Sequence, residues 1–142
     1  DIPTPPVIIT DYELPSPKIR IKASDISRRQ EDNGTVTISI KGFKRRTLVT
    51  TVENTGSMEP HIDDGMQIIL EPIIDYIDLI VGDVIVYQTP AYYLILHRIV
   101  AIGADADGWY CRTHGDNPLI TTSDPWLIRA DWLRWLYRGV IH

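Results

Sequence analysis

Short runs in which apolar and polar residues alternate recur through this chain. Three of them, at 18–22, 35–40 and 47–52, are rich in β-branched side chains, and further apolar runs follow at 66–70 and 84–87. A period of two places every second side chain on one face of a strand, and β-branched residues fit a pleated, half-buried surface. The pattern therefore predicts a mainly β fold built from half-buried strands.

The C-terminal half continues this pattern. Residues 92–102 predict a long strand, which the turn at 103–108 connects to a partner at 109–113 as a hairpin. Residues 72–79 fit either a short helix or an apolar loop, and residues 131–138 predict a helical turn followed by a final strand. Strands dominate and no internal repeat is visible, which favours antiparallel coiled or packed sheets over a doubly wound sheet.

The N-terminal region divides the chain. Residues 1–18 contain five prolines, each of which blocks a helix and removes a backbone donor, so we predict an extended arm. Residues 19–142 then form a single β domain. Within it, the polar stretch 27–34 predicts a loop, and 41–46 has the length of a hairpin connection.

Composition excludes several classes of protein. The chain has 142 residues, 44% of them hydrophobic, which fits one domain with its own core. A net charge of −5 gives no reason to expect a nucleic-acid partner. The single cysteine, Cys111, excludes an internal disulfide, and we expect no metal or cofactor. His97 and Arg98 interrupt the longest apolar run, so the chain as given is expected to be soluble.

The segment from Thr55 to Gly65 predicts an ordered loop that presents one hydroxyl, that of Ser57. Gly56 lets the backbone approach a substrate closely, and Pro60 restricts the local dihedral angles. A serine hydroxyl is a weak nucleophile unless a nearby base removes its proton. On local grounds alone, the segment is a turn.

Four segments in a fixed order resemble the signal peptidase I family, and its Ser-His branch of archaea and the endoplasmic reticulum more than the bacterial Ser-Lys branch. The resemblance covers about residues 48–142. Each segment is weak by itself, but the four in order are specific. The segments are Gly56-Ser57-Met58-Glu59-Pro60, Gly82-Asp83-Val84-Ile85-Val86-Tyr87, Leu96-His97-Arg98-Ile99-Val100, and Gly115-Asp116-Asn117 followed by Asp124-Pro125-Trp126.

This resemblance implies a signal-peptidase-like β fold and a catalytic serine, histidine and aspartate. Ser57 would be the nucleophile and His97 the general base, oriented by a carboxylate. Asp124 matches the family position of the third residue better than Asp116, which we expect to be structural. The spacer at 119–123 is longer than in the family, so the choice between the two aspartates stays open.

The resemblance also implies donors for an oxyanion. The backbone N–H of Ser57 would be the first donor, and the hydroxyl of Thr55 matches a position where family members add a second. His61 and His114 compete with His97 as the base, and we rank both below it.

The expected substrate is an extended peptide with small residues before the cut, bound as an added strand, and in the family this is a secretory preprotein. Family members are anchored in a membrane, with the catalytic domain on the extracytoplasmic side, so the resemblance adds a membrane surface as a partner. None of the more than fifty residues before Ser57 spans a membrane. Either an anchor precedes Asp1, or the chain is a soluble relative with another client.

Two alternatives differ from this interpretation. A self-cleaving repressor-type protease shares the Gly-Ser-Met loop and the β fold, but it uses a lysine base and cuts at an Ala-Gly or Cys-Gly bond, and this chain contains neither dipeptide. The other alternative is a non-catalytic module that keeps the fold to bind peptides or to assemble.

Overall fold

The computed structural model describes residues 23–43, 45–53, 56–63 and 65–141, and over these residues the protein is mainly β. The strands are β1 (Ile26–Gln30), β2 (Val36–Ile40), β3 (Leu48–Thr51), β4 (Gln67–Pro72), β5 (Val84–Gln88), β6 (Leu94–Asp105), β7 (Gly108–His114), β8 (Ile128–Arg129) and β9 (Leu133–Ile141). Short 3-10 turns lie at Ala23–Asp25, Tyr76–Asp78 and Ala130–Trp132.

Antiparallel pairing organises these strands into two sheets. β1 and β2 pair with each other, and the other strands form one sheet in the order β3-β4-β9-β5-β6-β7-β8. The predicted mainly β, antiparallel fold class is therefore confirmed. The Pro-rich arm at 1–18 and the strand predicted at 18–22 lie outside the described residues, and the predicted domain boundary stays a prediction.

Two predictions for the N-terminal part of the described chain were wrong. β1 occupies much of the predicted loop at 27–34, and β2 pairs with β1, so 41–46 does not close a hairpin between β2 and β3. The cause is the turn at Asn33 and Gly34, which has φ +88° at the glycine and a hydrogen bond of 3.0 Å from the Thr35 N–H to Asn33 Oδ1. Such a turn brings the flanking strands together even when β1 is polar and fully exposed.

The elements predicted for the C-terminal half are present, but the long strand begins and ends later than predicted, and residues 103–105 of the predicted turn belong to β6. The long strand and its partner form the β6–β7 hairpin. Residues 72–79 contain the 3-10 turn Tyr76–Asp78, capped by Asp75, whose Oδ1 accepts from the Ile77 N–H at 3.0 Å. The 3-10 turn Ala130–Trp132 precedes β9 as expected. Within the described segments, no helix combines the length and the apolar character that a membrane span requires.

β5 is buried on both faces and separates two hydrophobic cores. Ile85 and Tyr87, each 0% exposed, point into the first core, whereas Val84 and Val86 point into the second. The first core comprises Leu79, Ile85, Tyr87, Ile99, Cys111, Ile128 and Leu133, and the second comprises Met58, Ile62, Ile68, Leu70, Val84 and Val86.

The register of β5 with β6 assigns neighbouring β6 residues to opposite faces. His97 lies opposite Ile85 and therefore on the face of the first core, whereas Arg98 lies opposite Val84 on the face of the second core. The β6–β7 ladder begins at the pair of Arg98 and His114, and residue 115 lies just beyond it.

Candidate active site

The serine loop, here residues 56–63, is a compact turn that packs on the second core. The Glu59 N–H donates to Gly56 O at 3.3 Å, and the N–H groups of His61 and Ile62 both donate to Met58 O at 3.0 Å. The side chains of Met58 and Ile62 are 3% exposed and belong to the second core. Burial of these two apolar side chains fixes the loop on the sheet face opposite His97.

Asn117 ties the serine loop to the segment that follows β7. Its backbone N–H donates to Ser57 O at 3.0 Å, and its side-chain Nδ2 donates to Gly56 O at 2.8 Å. The Asn117 Oδ1 atom accepts from the Leu119 N–H at 2.9 Å, which fixes the orientation of the amide. The loop therefore keeps a defined position relative to the end of β7.

Gly115 lies where the serine loop meets His97. A Cβ atom built on Gly115 would be 2.5 Å from Ser57 O and 3.2 Å from His97 Nε2. Both groups thus surround the same small space, which a side chain at position 115 would occupy. The absence of that side chain brings the backbone of Ser57, held on one face of the sheet, next to the imidazole held on the other.

His97 is hydrogen-bonded to Asp124. The Nδ1 atom of His97 lies 2.7 Å from Asp124 Oδ2, and the two side chains are 13% and 15% exposed. An ionised carboxylate can only accept a hydrogen bond, so Nδ1 carries the hydrogen and a neutral imidazole keeps its lone pair on Nε2. The lone pair therefore lies on the nitrogen that is near Gly115 and the Ser57 backbone.

Further donors converge on Asp124. Tyr87 donates its hydroxyl to Oδ2 at 2.8 Å, Thr113 donates to the same oxygen, and Trp126 Nε1 donates to the Tyr87 oxygen at 2.9 Å. Burial alone would raise the pKa of Asp124, but the hydrogen bonds that the carboxylate accepts, that of His97 first, hold its pKa below the ordinary value. Burial raises the pKa of Tyr87, so the phenol stays protonated and able to donate.

Asp116 has different partners. Its carboxylate accepts from Arg98 Nε at 2.9 Å and from Nη2 at 2.7 Å, and Arg98 Nη1 donates to Gly82 O at 2.8 Å. His61 Nδ1 lies 3.0 Å from Asp116 Oδ2. The Asp116 side chain is 1% exposed. The structure thus places Asp116 on the Arg98 face of the sheet and Asp124 beside His97.

Two predicted residues, Thr55 and His114, remain. Thr55, the predicted second oxyanion donor, is outside the described residues. His114 pairs with Arg98 in the ladder, on the face opposite His97, and its Nδ1 contacts Gly115 O. In the described part of the chain, no group of three His, Cys, Asp or Glu side chains could hold a metal ion. Cys111 is fully buried, and burial raises the pKa of its thiol to about 12.

Several residues that position this site were not predicted from the sequence. Tyr87 and Thr113 surround Asp124, Asn117 holds the serine loop, and Arg98 holds Asp116. Each lies inside or beside a segment that carries the family resemblance. Their roles depend on cross-strand register, which a single sequence does not show.

Comparison with known proteins finds a partial relative of this chain. Over 71 residues the chain is 38% identical to signal peptidase I W of Bacillus subtilis (strain 168), a stretch that covers 50% of this chain and 37% of that protein. No family model matches the chain, and no solved structure matches it. The chain thus covers little more than a third of the relative, and this weak partial homology supports the resemblance to signal peptidase I without distinguishing the Ser-His branch.

Proposed function

We propose that this chain is a serine endopeptidase of the signal peptidase type, with Ser57 as nucleophile, His97 as general base and Asp124 as the carboxylate that orients the imidazole. The observation that carries the proposal is the His97–Asp124 hydrogen bond of 2.7 Å, which leaves His97 Nε2 beside the Ser57 backbone. The partial homology to a signal peptidase supports a serine peptidase function.

The reaction follows from these positions. His97 Nε2 accepts the hydroxyl proton as Ser57 Oγ bonds to the substrate carbonyl carbon, and the imidazolium then gives that proton to the leaving amine as the C–N bond breaks. Water then bonds to the acyl carbon as it gives a proton to His97 Nε2, and the imidazolium returns that proton to Ser57 Oγ as the ester bond breaks. The negative charge on Asp124 stabilises the imidazolium in both steps. The Ser57 N–H and the Thr55 hydroxyl are the proposed donors to the oxyanion.

We propose an extended peptide as the substrate, bound as an added strand. Residues 94–97 of β6 extend beyond the part of the strand that pairs with β7, which begins at Arg98. This backbone edge leads directly to His97. β3, which precedes the serine loop, pairs only with β4 among the described strands. By resemblance, the residues before the cut are small, the client is a secretory preprotein, and the domain works at the extracytoplasmic face of a membrane.

The test is cleavage of a peptide with small residues before the cut, by the wild type and by matched variants. Ser57→Ala and His97→Ala should each lose at least about 10³-fold in kcat. His61→Ala is the matched control, because His61 also contacts a buried aspartate. Its cleavage rate should stay within about fivefold of the wild type, since the His61 side chain itself is half-exposed. Equal cleavage by Ser57→Ala, or loss in His61→Ala but not in His97→Ala, would refute the assignment.

The same experiment separates the alternatives. Cleavage of the chain itself, dependent on Ser57, would indicate a self-cleaving protease. Peptide binding without cleavage, identical in the wild type and in Ser57→Ala, would indicate a non-catalytic module.

A further inference from the structure

Asp124 Oδ2 is the end point of a directed hydrogen-bond chain. The indole N–H of Trp126 can only donate, so the Tyr87 oxygen must accept it at 2.9 Å. The Tyr87 hydroxyl hydrogen then points at Asp124 Oδ2, which lies 2.8 Å away. Because the indole nitrogen cannot accept a hydrogen bond, the phenol hydrogen stays directed at the carboxylate.

Thr113, on β7, adds a second hydroxyl to the same arrangement. Its side chain is fully buried, and its hydroxyl donates to Asp124 Oδ2 and lies 3.4 Å from the Tyr87 oxygen. The backbone N–H of Asp124 also donates to Thr113 O at 2.8 Å. The carboxylate is therefore fixed in both its position and its rotation.

We propose that Tyr87, oriented by Trp126 and assisted by Thr113, is a positioning residue that keeps Asp124 an acceptor-only carboxylate and thereby holds His97 in the tautomer with hydrogen on Nδ1. This inference rests on the proposed function, since the tautomer matters only if His97 is the base. The donors around Asp124 exclude a carboxylic acid that donates to Nδ1, the arrangement that would leave the hydrogen on Nε2 and remove the base. The hydroxyl groups act through Asp124 and make no contact with substrate.

The reason for a buried network at this point is electrostatic. A lone carboxylate that is largely buried would tend to take up a proton, and each hydrogen bond to the charged form opposes this. Tyr87 is 0% exposed, so water cannot replace Asp124 as the acceptor of the Tyr87 hydroxyl hydrogen. Removal of the hydroxyl takes away one of the three donors to Asp124 Oδ2 and leaves the indole N–H of Trp126 without its acceptor.

The test compares Tyr87→Phe with Tyr110→Phe. Both changes delete one phenolic hydroxyl from a buried tyrosine of the same sheet, but Tyr110 lies opposite Gly103, six residues along β6 from His97. The ring nitrogens of His97 are observed by NMR in protein labelled with 15N histidine and assigned with His97→Gln. The kcat and KM values for the small-residue peptide are measured in parallel.

We expect hydrogen on Nδ1 alone in the wild type and in Tyr110→Phe, and a mixture of tautomers in Tyr87→Phe, with kcat reduced on the order of tenfold and KM unchanged. Thr113→Val should act in the same direction, and Thr113→Ser, which restores the hydroxyl, should not. An Nδ1–H signal in Tyr87→Phe identical to that of Tyr110→Phe would overturn the inference. If no protein cleaves the peptide, the proposed function fails, and the tautomer comparison still decides the positioning role.

Discussion

Replacement of Gly115 by alanine adds one methyl group where the serine loop meets His97. The new Cβ would lie 2.5 Å from Ser57 O, 2.8 Å from Ile120 Cδ1 and 3.2 Å from His97 Nε2, whereas ordinary van der Waals contact begins near 3.4 Å. The end of the Ile120 side chain can rotate away. The Ser57 carbonyl is backbone, so the loop has to retreat by about 0.9 Å, the difference between 2.5 and 3.4 Å.

The consequences for activity and stability should differ in size. A displacement of about 1 Å between reacting groups can cost on the order of 100-fold in rate, so we expect kcat for the Gly115→Ala protein to fall by about that factor. Overpacking should lower the free energy of unfolding by about 1–3 kcal/mol. The φ angle of Gly115 is not in the left-handed region, so the substitution tests space and adds no backbone strain.

Gly108→Ala is the matched control. Gly108 has φ +105° and nothing within 4 Å of its ideal Cβ, so alanine there strains the β6–β7 turn by about 1–2 kcal/mol without moving the serine loop. Peptide cleavage and urea unfolding of both variants are compared at a temperature where each is folded. If Gly115→Ala cleaves as fast as Gly108→Ala, the Ser57 carbonyl is not held against position 115 and the reasoning fails.

Two further predictions concern the carboxylates of Asp116 and Asp124. Arg98→Met leaves the Asp116 carboxylate buried without its main partner and should lower the free energy of unfolding in urea by about 3–5 kcal/mol. The double variant Arg98→Met/Asp116→Asn should recover much of this loss. A loss below about 1 kcal/mol in the single variant would contradict the prediction. Because the pKa of Asp124 is lowered from its ordinary 3.8 in the folded state, its contribution to stability is present above pH 3.8 and is lost as the pH falls through the lower, folded-state value. The difference in unfolding free energy between the wild type and Asp124→Asn should therefore be constant near neutral pH and shrink in this acid range, and a difference that grows with acid would show the opposite sign of shift.

Local signals predicted much of the fold. Apolar runs identified β5 and β6, and the turn residues after β6 identified the β6–β7 hairpin. The turn before β5 was also predictable, since Asp83 Oδ2 accepts from the Ile80 N–H at 3.0 Å, a bond between residues three apart. The β1–β2 hairpin was missed because polarity was given more weight than the Asn33-Gly34 turn.

Strand pairing over long distances could not be predicted in the same way. β3 pairs with β4, and β9 lies between β4 and β5 although it ends the described chain. Nothing in the alternation of a strand states which partner it takes, because every half-buried strand offers the same backbone groups. The strand partners are set by the requirement that both faces of β5 are buried at the same time.

The sequence by itself determined that this is a β protein and which segments resemble signal peptidase I, because strand patterns and motif order are local properties of the chain. Only the tertiary structure decided that Asp124 bonds to His97 while Asp116 bonds to Arg98. His97 and Arg98 are consecutive, and the pleat of one strand sends their side chains to opposite faces, where each meets a carboxylate from a different part of the segment between β7 and β8. The identity of each partner is thus a consequence of register and face, which exist only once the sheet has formed.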